Sequence, residues 1–248
     1  MKKIITIILI VIVGMSSIGC EIIDDGFNWV YDEIKDEFIE QRYSKEPRYS
    51  KAVKWTDGIV YYKWHDNVDE KARNIIINCM MDFEEISSLR FVESNKNEYS
   101  CLIILNNDKN CVHKIGMHRD NYLRLTYSLF ICNNASIIRH ELGHLIGLHH
   151  EHQREDRDKY IKVNWNNIKE SKYYQYVIVK NDLIPENKFT YDPISIMHYR
   201  TRDGLECINN TTYCYLGFIS WKMRNVTRDI FSQDDIEKIQ YLYPMNNL

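Results

Sequence analysis

Apolar residues recur along the chain in two rhythms, and each change of rhythm marks an element. IVYYKW at 59–64 is short, aromatic and β-branched and predicts a strand. The next stretch, VDEKARNIIINCMMDFEEIS (68–87), sets Ile75, Ile76, Cys79, Met80 and Phe83 at helical spacing and predicts an amphipathic helix. LRFVES, CLIIL and YLRLTYSLF predict further strands. A second helix is expected from about Asn134, a candidate N-cap, to Leu145 or Ile146, with Gly147 placed to end it. Near the other end, SQDDIEKIQYLY carries Ser232 and, three residues on, Asp235, the pattern of a capping box for a last helix. No repeat, low-complexity tract or long linker interrupts the series. The expected class is α+β: a twisted sheet and a histidine-bearing helix in the N-terminal half, then a mostly irregular C-terminal half ending in a helix.

The first residues follow a different rule. Lys2 and Lys3 precede an apolar run from Ile4 to Val13 and then small residues up to Gly19 and Cys20, the layout of a secretory signal at 1–19. The run falls short of the roughly 20 residues a spanning helix needs. Ser17, Ile18, Gly19 and Cys20 also resemble a lipoprotein signal, in which Cys20 would carry a lipid anchor. Residues 20–51 are charged and read as a leader or pro-segment, with Phe27, Val30, Ile34 and Phe38 at helical spacing inside it. The folded domain is then 52–248. Its core is amply supplied, since 44% of the 248 residues are hydrophobic. A net charge of -3 with no basic stripe excludes nucleic acid as a partner. Export implies oxidised cysteines, and apart from Cys20 an even set remains: Cys79, Cys101, Cys111, Cys132, Cys207 and Cys214. Only Cys207 and Cys214, close together across INNTTY, pair on local grounds.

Residues 140–152, HELGHLIGLHHEH, hold five of the nine histidines. His140 and His144 stand four apart and project from one helix face, within reach of a single ion. Catalytic zinc takes three protein ligands plus water. Gly147 can adopt the left-handed conformation that turns the chain off the helix, so His150 returns as the third ligand. Glu141, beside His140, is angled toward the metal's water and is the candidate general base. His149 and His152 are left as surface or supporting residues.

The longer pattern H-E-x-x-H-x-x-G-x-x-H is the metzincin signature. With the following EHQREDRDKYIKVNW, it resembles the active-site segment of the astacin metalloendopeptidases, which continue with a glutamate and an R-x-D-R-D run, here Glu151, Arg154, Asp156, Arg157 and Asp158. YDPISIMHY resembles the family's Met-turn, with Met197 beneath the metal as a soft apolar floor and Tyr199 two residues later. VKWTDGIVYY, EEISSLRFV, CVHKIGM and FSQDDIEKIQYLY extend the likeness over nearly all of 53–243. The resemblance implies a single metzincin-like zinc protease domain with one Zn2+ per chain. It implies that Tyr199 ligates zinc at rest and swings to the oxyanion, and that Cys111 pairs with Cys132. The family's second bridge is absent, because Ser88 and no C-terminal cysteine stand in its places, which leaves Cys79 to pair with Cys101. Family members bury the amine freed by maturation against the glutamate after the third histidine, here Glu151. The F-x-G-D of family pro-segments is missing; the nearest text is Asp24-Asp25-Gly26-Phe27.

Together these readings predict a secreted, monomeric zinc endopeptidase acting on protein or peptide, touching a membrane only through a lipidated Cys20. The rival is a catalytically silent zinc-binding surface protein, an adhesin or scaffold on the same fold.

Overall fold

The computed structural model describes residues 52–94, 102–106, 115–117, 123–127, 135–199, 204–208 and 231–245, all within one compact unit, Arg42–Leu248. The secretory signal, the leader, and Cys101, Cys111, Cys132 and Cys214 lie outside the described residues.

Strands β1 (Ile59–Trp64), β2 (Arg90–Glu93), β3 (Leu102–Asn106) and β4 (Leu123–Tyr127) form a four-stranded sheet in the order β2-β1-β3-β4. Every pairing is parallel, with Val60 opposite Phe91, Tyr62 opposite Leu102 and Leu102 opposite Leu123. A parallel neighbour requires a crossover, and α1 (Glu70–Ile86) supplies it between β1 and β2. Asp69 caps α1, its side chain accepting from the Ala72 amide at 2.8 Å. Ala72, Ile76, Cys79, Met80 and Phe83 make its buried stripe, while Ile75 is partly covered. Cys79 is buried there with its Sγ 3.6 Å from the Ala135 carbonyl; its expected partner Cys101 is not among the described residues.

Helix α2 (Ala135–Ile146) packs on α1, tied to it at the rim by Arg139 Nε and Asp82 Oδ2, 2.7 Å apart. Leu142, Leu145 and Ile146 join Val60, Ile76, Phe83 and Leu89 in one core. Helix α3 (Gln233–Leu242) closes that core with Ile239 and Leu242, and Phe231 meets Phe83 edge-on at 4.6 Å between ring centroids. Both halves of its capping box form: the Ser232 hydroxyl takes the Asp235 amide and the Asp235 carboxylate takes the Ser232 amide.

Beyond α2 the described chain is mostly turns and short 3-10 helices. One ribbon, β5 (Ile161–Val163) against β6 (Leu205–Cys207), is antiparallel. Three-residue strands are too short to betray themselves by alternation, so the sequence pattern did not announce this ribbon. Cys207 at its end is disulfide-bonded.

Candidate metal centre

The site begins with how α2 ends. Gly147 sits at φ +116°, its amide bonded to the His144 carbonyl and the Leu148 amide to the Gly143 carbonyl. This is the paired bonding of a Schellman motif, which needs a residue that tolerates positive φ. A Cβ on Gly147 would also stand 2.8 Å from Leu183 Cδ1. The other two terminal carbonyls, of Leu145 and Ile146, accept from the Trp55 indole and the Tyr243 hydroxyl, each at 2.8 Å. All four orphan acceptors of the helix end are thereby satisfied, and the chain leaves in one fixed direction.

That direction brings His150 back to the helix. Its Nε2 lies 3.2 Å from His140 Nε2 and 3.1 Å from His144 Nε2. Each outer nitrogen faces an acceptor: His140 Nδ1 the Ile196 carbonyl at 2.6 Å, His144 Nδ1 the Leu148 carbonyl at 2.8 Å, His150 Nδ1 the Gln153 Oε1 at 3.0 Å. These partners assign the proton to Nδ1 in all three rings and leave three Nε2 lone pairs facing one another. Burial and the neighbouring imidazoles of His144, His152 and His140 hold His150 well below the usual histidine range, so it is neutral. Three neutral nitrogens in mutual contact are repulsive without a cation between them. A tetrahedral ion 2.0–2.1 Å from each would space them about 3.3 Å apart, close to what is found. His140, His144 and His150 are the one group of this kind among the described residues.

Glu141 is the next residue on α2, and burial pushes its carboxyl up to about 8. A dication nearby opposes that shift. Met197 is fully buried under the helix, and Gly143 is what admits it: a Cβ there would lie 2.6 Å from the Met197 Sδ. Tyr199 brings its ring to 4.5 Å from that of His150 and stacks on His152 at 4.1 Å. His152 is completely buried and bonded through Nε2 to the Gln175 carbonyl at 2.9 Å, so it backs Tyr199 and is not a surface residue. His149 is not part of the triad; burial takes it down to about 4.

The Met-turn is pinned from two directions. The Glu151 amide donates to the Met197 carbonyl at 3.0 Å, and the Asp192 amide donates to Glu151 Oε1 at 2.9 Å. From α3, Asp235 accepts the Ser195 hydroxyl at 2.6 Å and the Ile196 amide at 2.9 Å. The R-x-D-R-D run stiffens the segment after His150: Arg154 forks onto Asp156 at 2.8 and 3.0 Å, and buried Arg157 donates to the carbonyls of His152 and Tyr176. Glu151 is buried against Lys238 Nζ at 2.8 Å and Arg154 at 3.4 Å. Sequence reading missed Gly143, Gln153, Asp235's second role at the Met-turn, and Lys238. Gln153, three residues past His150, is the one of these that spacing could have flagged as a partner for a ligand.

A histidine-pair helix, a third histidine after a glycine turn and a methionine turn beneath it define the class: a metzincin-type metal centre. The chain belongs to the astacin family of peptidases, whose model matches residues 48–244. That family comprises zinc metalloproteases, and the triad suits one such ion. Among curated proteins the chain is 37% identical over 155 residues to the low choriolytic enzyme of Oryzias latipes, a stretch that is 61% of this chain and 55% of that one. It is 28% identical over 194 residues to nematocyst expressed protein 6 of Nematostella vectensis, covering 77% and 66% of the two chains. The chain thus spans about half the length of the first of these relatives. Among solved structures, the high choriolytic enzyme 1 of Oryzias latipes, a hatching enzyme zinc-protease, superposes with a TM-score of 0.64 at 27% identity, covering 78% of this chain and 94% of that one. Myroilysin shares the fold at 14% identity, with a TM-score of 0.53 over 78% of this chain and 96% of that one.

Proposed function

We propose that this chain is an exported zinc endopeptidase that hydrolyses internal bonds of proteins or peptides. The observation that carries the reading is the convergence of three Nδ1-protonated imidazoles on one point, with the carboxylate of Glu141 on the helix that bears two of them. When bound, zinc supplies Lewis acidity toward a carbonyl and acidifies a water. The three imidazoles hold their lone pairs inward because their outer nitrogens are already committed. Glu141 takes the proton of the attacking water and hands it to the leaving amine, a task suited to a partly buried carboxylate that directly follows a ligand on the helix. Tyr199, backed by His152, offers its hydroxyl to the developing oxyanion. Export is supported by Lys2, Lys3 and the apolar run that follows, and among the described residues no helix is long and apolar enough to cross a membrane. The silent-scaffold alternative gives Glu141 no task.

Digestion of casein by the wild type, abolished by a chelator and restored by zinc, is the expected result. Glu141→Ala should keep zinc and circular dichroism while losing turnover by about 10² to 10⁴-fold or more. Zinc-loaded wild type that cleaves neither casein nor any member of a peptide library would favour the scaffold.

A further inference from the structure

We propose that Lys238 is a positioning residue of the metal centre: an amine supplied by the last helix that holds Glu151, and through it the third ligand and the Met-turn, in register. Glu151 directly follows His150 and is joined to the Met-turn twice, through its amide to Met197 and through its carboxylate to the Asp192 amide. Its second carboxylate oxygen ends on Lys238 Nζ at 2.8 Å, and the two side chains are only 5% and 7% exposed. Arg154 stands farther off at 3.4 Å and is already forked onto Asp156. A buried charge left without its partner is strongly unfavourable, so a chain that keeps Glu151 there must bring a cation to it. This chain brings its own, from a residue 87 positions away on α3. The same helix holds the far side of the Met-turn through Asp235. Lys238 and Asp235 lie one turn apart on α3, so a single rigid element grips both sides of the turn that accepts the His140 Nδ1 proton at Ile196.

Beside this pair lies a small cleft lined by His149, Glu151, Arg154, Ser195, Asp235 and Lys238 among others. It gives a small amine a way in, and that supplies the test. On the full chain, zinc retention is measured by competition with a chelator, alongside kcat and KM on a peptide. Lys238→Met is expected to weaken zinc retention about 10- to 100-fold, the scale of lost support behind a ligand, and to lower kcat with KM nearly unmoved. In Lys238→Ala, propylammonium chloride is expected to restore zinc retention where sodium chloride of equal ionic strength does not. A merely space-filling lysine would show no such selectivity. Wild-type zinc retention in Lys238→Met, or rescue by sodium as good as by propylammonium, overturns the proposal. Should the single variants not fold, Glu151→Gln combined with Lys238→Met leaves no stranded charge; weakened zinc retention in it supports the role and wild-type retention overturns it. The kinetic arm rests on the peptidase reading and the zinc arm does not, so an inactive protein that still shows amine rescue would sink that reading alone.

Discussion

The metal centre is built from two regions held by different kinds of force. His140 and His144 belong to a helix, and their outer nitrogens end on backbone carbonyls that no substitution of a side chain can remove. His150 stands on irregular chain, and its outer nitrogen ends on a side chain, Gln153. Its backbone neighbour Glu151 is held by residues from the Met-turn and the last helix. The helical pair is fixed by local hydrogen bonding at 3.6 residues per turn. The third ligand is fixed by contacts from far along the sequence and is the part that substitutions away from the ligands should loosen.

The most severe way to break this arrangement short of removing a ligand is at the joint between the two regions. Gly147→Val places a branched side chain at φ +116° and against Leu183, and should cost about 4 kcal/mol of stability. Thermal unfolding of the zinc-free protein would measure it, and zinc should be lost together with the turn. Next is Tyr199→Phe, which leaves the triad and Glu141 intact and, on the proposed oxyanion role, should lower kcat by about 10² with little change in KM. The smallest effect, and the one that bears most sharply on the contrast, is Gln153→Ala. It strips the support of one ligand only, and chelator competition should find zinc about 10- to 100-fold weaker. No substitution can do the same to His140 or His144, because Ile196 and Leu148 act through their backbones.

The same contrast explains what could be read without coordinates. The strands at 59–64 and 90–93, the span of α2, the Gly147 turn and the Ser232–Asp235 box are local patterns, and each lies where its pattern pointed. The spacing of His140, His144 and His150 is local too, with the glycine between them announcing the return. What escaped is what the fold brings from afar. No local pattern singled out Lys238, which is 5% exposed against a carboxylate in another segment. Asp235 was legible as a cap, but its grip on Ser195 and Ile196, some 40 residues away in sequence, was not. Gly143 carried no local signal at all, because its reason is the Met197 sulfur packed beneath it. His152 looked peripheral beside three stronger candidates and turns out to be the buried plate under Tyr199.

The adjacent pair His149 and His150 gives the most direct test, since only the turn at Gly147 decides which of them reaches the ion. Zinc content per chain, measured after dialysis against a mild chelator, should be one in the wild type and in His149→Ala and close to zero in His150→Ala. The reverse outcome, with zinc lost from His149→Ala and kept by His150→Ala, would contradict the account.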